Sequence, residues 1–298
     1  MPDYAQLESL ALQRAQDYAS RPDTVAVAVT GSIARGTVWP GSDIDLWVFH
    51  EGPEAFEDGL IKGIYWEADI RPAAWLEGPD PKRWLEPPPL NGRADGVFEA
   101  IWGCRVVHDP AGRLGALKQA IDRCVADRAW LHRRAERFLG YGRGCLAALA
   151  YADPLHAIVL ARCVATEYGI TAYWMGQGRL LTSGSRIPEQ LEGAPRLQAL
   201  YRAVFSLTGQ AGAEEMLAAL RTLPAAIQEH VRSDVEWEVL PVWRHGCYDG
   251  GVRYLRQGMP HWFPPEQVRP VLALEPDLEA QKERVLAQAR EILDLALP

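Results

Sequence analysis

Gly31-Ser32-Ile33-Ala34-Arg35-Gly36-Thr37-Val38-Trp39-Pro40-Gly41-Ser42-Asp43-Ile44-Asp45 is the most informative stretch of the chain. It lies between two apolar runs, residues 24–29 and 44–49, whose β-branched and aromatic content reads as a pair of strands. In a strand alternate side chains share a face, so Asp43 and Asp45 project together while Ile44 and Leu46 project the other way. Two carboxylates side by side repel, and a divalent cation relieves the repulsion. Their hard oxygens suit Mg²⁺, which completes its shell with water and substrate phosphates. Gly31-Ser32 stands where the first strand stops, so its backbone amides and the Ser32 hydroxyl are placed to face a triphosphate, as in other glycine-rich phosphate loops. Ser42, just before the acids, completes the same loop. Gly-Ser and Asp-x-Asp are each common in turns; together, at this spacing and flanked by apolar strands, they point to a site.

Working outward, residues 4–18 place Leu7, Leu10, Ala11 and Ala15 at helical spacing and predict an amphipathic helix that Arg21-Pro22-Asp23 ends. Downstream, an acidic connection around residues 51–58 leads to a third strand over 64–71. Period two puts Tyr65, Glu67, Asp69 and Arg71 on one face of it and Ile64, Trp66, Ala68 and Ile70 on the other. Phosphoryl transfer between two metals needs a third acid near the attacking hydroxyl. Glu67 is the first candidate and Asp69 the second. The proline-rich residues 79–89 read as a surface excursion. A short helix at 95–102 and a strand at 105–107 then close the first half at His108-Asp109-Pro110.

Beyond about residue 114 the pattern turns helical, with apolar-periodic segments at 114–125, 127–150, 154–176, 196–208 and 213–232. Residues 155–175 are apolar nearly all round, which marks a central buried helix. Residues 245–265, rich in Gly, Pro and aromatics, read as irregular, before a last amphipathic helix over 276–297. The expectation is therefore an α+β chain with a catalytic domain over 1–113 and an all-α domain over 114–298, which suits a length above the usual size of one core.

Composition excludes several classes. With 48% hydrophobic and 23% charged residues and no low-complexity tract, the chain reads as globular. A net charge of −8 without a basic stripe argues against a broad nucleic-acid surface. No stretch is long and apolar enough to span a membrane. The N-terminus lacks the basic-then-apolar order of a signal peptide, so the cytoplasm is the expected compartment. The five cysteines are odd in number and form no CxxC pair, and read as scattered thiols rather than metal ligands. His245, His261, Trp262 and Phe263 sit in no motif and read as structural.

On Gly31-Ser32 and Asp43-Ile44-Asp45 the chain resembles the nucleotidyltransferase superfamily that shares the DNA polymerase β-like catalytic domain. More narrowly it looks like the kanamycin nucleotidyltransferase-like enzymes with two domains: Arg35 matches an arginine of their phosphate loop, Trp66-Glu67-Ala68 their third-acid strand, and Thr182-Ser183-Gly184-Ser185-Arg186 a Ser/Thr-rich turn after the central helix. The resemblance implies a mixed sheet flanked by helices, two Mg²⁺ ions held by Asp43, Asp45 and Glu67 with Asp69 as the alternative ligand, and ATP or another nucleoside triphosphate as donor. It further implies in-line transfer of a nucleoside monophosphate to a hydroxyl of a small molecule such as an antibiotic, with release of pyrophosphate. Relatives carry a general-base glutamate on the first long C-terminal helix. Here that position falls near Leu139-Gly140-Tyr141, with Glu136 one turn earlier as the nearest carboxylate. Arg143 is a candidate phosphate contact. The resemblance allows a homodimer. Two other readings stay open: transfer to protein or tRNA, and a catalytically silent nucleotide-binding partner of the antitoxin type.

Overall fold

The computed structural model describes residues 4–39, 42–77, 96–180 and 187–297. It divides into two compact units, the first ending at Asp127 and the second continuing from Arg128. The sequence placed that division after residue 113; the helix Arg113–Ala126 goes with the first unit. The expected α+β architecture is present as a mixed five-stranded sheet with helices, followed by a helical region. The proline-rich excursion at 79–89 and the turn at 182–186 lie outside the described residues. No helix of the described residues is long and apolar enough to cross a membrane.

The first unit begins with α1 (Tyr4–Ala19), which buries Leu7, Leu10, Ala11, Ala15 and Tyr18, the stripe its spacing predicted. It is followed by β1 (Thr24–Val29), the single turn α2 (Gly31–Ala34), β2 (Ile44–His50), β3 (Ala55–Ile61), β4 (Ile64–Pro72), α3 (Gly96–Trp102), β5 (Arg105–His108) and α4 (Arg113–Ala126). The sheet order is β3-β4-β2-β1-β5. β2 and β4 run parallel, while the other neighbours are antiparallel. Val27 and Val29 of β1, Ile44, Leu46 and Val48 of β2, and Trp66, Ala68 and Ile70 of β4 form one core with the α1 stripe. The residues that alternate with these, Asp45, Glu67 and Asp69 among them, therefore occupy the opposite face of the sheet.

The segment read as an acidic connection is instead the edge strand β3. Its residues are mostly exposed, so no apolar run announces it, and its acids are of the kind that discourage edge pairing with other chains. The turn to β4 is Lys62-Gly63, both with positive φ (52° and 79°), and Ile61 pairs directly with Ile64. A two-residue connection with both residues left-handed is the hairpin turn that matches strand twist.

β3 is fastened to α1 through Glu57, which accepts hydrogen bonds from the buried Tyr18 hydroxyl (2.7 Å) and from Arg21 (2.8 and 3.0 Å). Arg21 first and Tyr18 after it hold the Glu57 carboxyl at about 2, against partial burial. A carboxyl depressed in the folded state contributes stability above its unfolded value and loses it as pH falls toward the folded one. Glu57→Gln is therefore expected to lower stability by about 1 kcal/mol at pH 7, discounted for the exposure of the Arg21 pair, with the gap closing between about pH 5 and pH 2. Urea melts of both proteins across that range measure it; a gap independent of pH would contradict it.

The second unit is helical. Arg128–Leu149, hereafter α5, and the continuous helical run from Pro154 to Gly176 match expected segments. The latter is buried nearly all round, as its composition predicted. Within it, Arg162 is fully buried and donates to the carbonyls of Val204 (3.0 Å) and Leu272 (2.6 Å). Arg256 likewise donates to Val271 (3.2 Å) and Ser206 (2.8 Å). The two guanidinium groups thus satisfy backbone acceptors at the end of the helix Pro195–Val204 and at Val271 and Leu272, and burial, with Arg256 second, pushes Arg162 down to about 9. The segment at 213–232 divides into Gln210–Leu220 and Ala225–His230 at a turn ending in Pro224. The stretch at 245–265, read as irregular, is largely the helix Tyr248–Trp262. Its Gly251 is there for packing: a Cβ would come within 2.5 Å of the Trp243 ring. The last helix is Leu278–Leu295, capped by the Asp277 side chain on the Ala280 amide.

Candidate active site

The two strands that carry the acids meet in parallel register, with Asp45 opposite Glu67 and Trp47 opposite Asp69. Asp45 is the electrostatic centre. Burial first, then the charges of Asp43 and Glu67, raise its carboxyl well above the usual carboxylate range, and Arg35 opposes them. Asp45 and Glu67 are also hydrogen-bonded through their side chains. Asp45 keeps a partial opening to solvent, so the desolvation comes from the protein packed around the carboxylate rather than from complete enclosure. Carboxylates gathered this closely are relieved either by sharing a proton or by a divalent cation.

The loop between β1 and β2 closes over this strand end. The Thr30 amide donates to the Asp45 carbonyl (2.9 Å), Ala34 to Thr30 (3.3 Å), and Thr37 to the Ser32 carbonyl (3.0 Å). Ser32 Oγ donates to Ser42 Oγ (2.9 Å), which also accepts from the Trp39 amide (3.0 Å). Ser42 therefore fastens the two ends of the loop, bringing Ser32 and the acids to one place. Pro40 and Gly41 lie outside the described residues.

Gly31 has φ +63°, and a Cβ on it would coincide with the Asp45 carboxylate. The sequence assigns this glycine to a phosphate loop; the structure adds that the missing side chain is the space in which Asp45 sits. Half-buried Arg35 is lowered from its ordinary value by desolvation, and the charge of Asp45 restores part of the loss. Gly103, before β5, lies against its aliphatic chain, where a Cβ would meet Arg35 Cδ at 3.1 Å. Nothing in the sequence signals Gly103, because its partner is in a loop at the other end of the unit's chain.

Asp69, two residues beyond Glu67 on the same face, is ion-paired with Arg71 at 2.6 Å. Arg71 also meets Glu54. Glu136 and Arg143 stand on α5 in the second unit, both exposed. Glu136 lies 3.6 Å from His132, and Arg143 is paired with Asp294 at 3.1 Å.

The donor set Asp43, Asp45 and Glu67 is all hard oxygen and fits Mg²⁺. Residues 12–76, which contain the Gly-Ser turn and all four candidate metal ligands, match the family model of the nucleotidyltransferase domain. No curated protein matches the chain. A solved nucleotidyltransferase-like protein from Exiguobacterium sibiricum 255-15 is similar at 14% identity and a TM-score of 0.29, over 86% of this chain and 78% of that one. Residues 12–76 thus match a nucleotidyltransferase domain, and that match supports nucleotidyl transfer in general terms.

Proposed function

We propose that the chain is a kanamycin nucleotidyltransferase-like enzyme, moving a nucleoside monophosphate, AMP in the first instance, from a nucleoside triphosphate to a hydroxyl of a small molecule such as an antibiotic, with release of pyrophosphate. The observation that carries this reading is the pairing of Asp45 with Glu67 beside Asp43, on the sheet face away from α1 and at the mouth of the Gly31-Ser32 loop. Asp43, Asp45 and Glu67 would hold two Mg²⁺ ions, which when bound neutralise the phosphates and the charge developing between the attacking and leaving oxygens. Ser32 and Arg35 orient the β- and γ-phosphates, Arg35 as a charge kept partly out of water and thereby strengthened. Ser42 holds the loop closed around them. Glu136 is the nearest candidate for the general base and Arg143 a candidate phosphate contact. The reading assigns the enzyme to the cytoplasm, and five free cysteines are consistent with a reducing compartment.

The test is transfer of label from each α-labelled nucleoside triphosphate, with Mg²⁺, to a panel of aminoglycosides, lincosamides and tRNA. ATP with a hydroxylated small molecule is the expected productive pair; label on tRNA alone, or on nothing, would overturn the reading. Glu67→Gln is expected to lower kcat by about 10²–10³-fold, on the scale of losing one fixed electrostatic group at the reacting centre. Asp69→Asn should cost much less, since Asp69 is engaged by Arg71. A larger loss in Asp69→Asn than in Glu67→Gln would exchange their roles.

A further inference from the structure

The long buried helix of the second unit changes its winding partway along. It is α-helical over Pro154–Cys163, π-helical over Val164–Ile170, and α-helical again from Thr171. Such π segments are rare and frequently mark functional sites. Cys163 is the last residue before the change and Glu167 lies inside it, one turn on. His261 arrives from the end of the helix Tyr248–Trp262 and sets Nε2 3.6 Å from Cys163 Sγ. One ligand atom from each of the three lies within 4.8 Å of the others.

A zinc ion with a Zn–S bond of about 2.3 Å and a Zn–N bond of about 2.0–2.1 Å at the tetrahedral angle separates sulfur from nitrogen by about 3.6 Å. Cys163 and His261 already have that spacing, and rotation about the Glu167 side-chain bonds can bring in the third ligand. One carboxylate oxygen of Glu167, Oε2, is buried without a hydrogen-bond partner. The other accepts a long bond, 3.4 Å, from Gln257 Nε2. A buried carboxylate oxygen left in this state is costly, and a cation satisfies it. Burial pushes the Glu167 carboxyl up to about 8, with Gln257 and Arg253 drawing it back. Cys163 is buried, Glu167 half-buried and His261 exposed, so the cluster opens to water on the histidine side.

We propose that Cys163, Glu167 and His261 bind a divalent transition-metal ion, zinc in the first instance, with water in the fourth position. Thiolate and imidazole select a borderline ion of this kind over Mg²⁺, so the site is chemically separate from the acid cluster and independent of the reading given for it. On binding, the Cys163 thiol and the Glu167 carboxyl each give a proton to solvent, and thiolate and carboxylate together balance the charge of the ion. The sequence set Cys163 aside as a scattered thiol and His261 as structural because neither falls in a ligand motif, and Glu167 was not singled out.

The test uses the full chain, stripped with EDTA and titrated with Co²⁺ in excess Mg²⁺, which occupies the oxygen ligands. The expected result is one equivalent of Co²⁺ with a thiolate-to-cobalt charge-transfer band that Zn²⁺ displaces. Cys163→Ser is expected to abolish the band. His261→Asn, at an exposed position that the fold tolerates, should weaken Co²⁺ binding by at least about 10-fold, the lower end of what even an outer-shell partner contributes. No thiolate band in the folded wild type, a band surviving in Cys163→Ser, or unchanged affinity in folded His261→Asn would each overturn the proposal. Should Cys163→Ser fail to fold by circular dichroism, the wild-type band and the His261 variant decide the matter.

Discussion

Asp45→Asn is expected to lower nucleotidyl transfer by about 10³-fold or more while making the metal-free protein more stable at neutral pH. The first effect follows from the proposed function: with Asp45 between Asp43 and Glu67, one lost carboxylate would remove a ligand to the phosphate-bearing metals, and losing a single fixed charge-stabilising group already costs about 10²–10³-fold. The second follows from the sign of its shift. A carboxyl raised in the folded state favours folding while protonated, and that contribution is lost as pH rises through the folded value. At neutral pH Asp45 therefore costs the fold stability, either as a crowded charge or as a group that must take up a proton, and the amide removes that cost. Thermal melts should place the variant above wild type at pH 7 and level with it in acid. Added Mg²⁺ should raise the wild type and leave the variant unmoved. Full activity in the variant would remove Asp45 from the chemistry. A loss of stability at pH 7 would mean that its charge is compensated in the fold.

Gly31→Ala is expected to come second in severity, with turnover down by about 10²-fold or more. The new Cβ falls on the Asp45 carboxylate and must displace it, and a misplacement of about 1 Å at a reacting centre suffices for a loss of that order. The variant also bears the ordinary penalty of a non-glycine residue at φ +63°, about 1 kcal/mol. Gly36→Ala separates the two contributions. Its φ is +66°, yet nothing lies within 4 Å of a Cβ built there. It should lose comparable stability and keep most of its turnover. If Gly36→Ala and Gly31→Ala lose activity alike, backbone strain in the loop, and not the space reserved for Asp45, is what matters.

The central features of the sheet were legible because they obey local rules. Alternation in β2 and β4 separated acids from apolar residues, and the α1 stripe appeared at the predicted spacing. Register was not legible: nothing local states that Asp45 faces Glu67 while Asp69 is taken by Arg71. β3 was missed because an exposed edge strand has no buried face to pattern it, although Lys62-Gly63 was a hairpin signal in plain view. The helix Tyr248–Trp262 was missed because its glycines were read as breakers, when Gly251 gives clearance to Trp243. The Cys163, Glu167 and His261 cluster joins residues almost a hundred positions apart, a distance at which spacing carries no information.

The order of the strands also bears on how the chain arrives at its fold. β3 and β4 are joined by a turn of two residues and can form as a hairpin on the scale of about 1–10 μs. β2 can reach β4 only as a parallel neighbour, with the whole of β3 between them in the chain, and pairings across longer separations are slower. Glu67 is therefore carried on an early local structure, and Asp45 is brought to it late. Until then Glu67 is apart from Asp43 and Asp45, and the three ionise in water with less conflict. The repulsion between Glu67 and the two aspartates acts on the closing step, as an electrostatic brake that a proton or a bound cation releases, so the acid cluster proposed to hold metal also makes the ionic conditions part of its folding path.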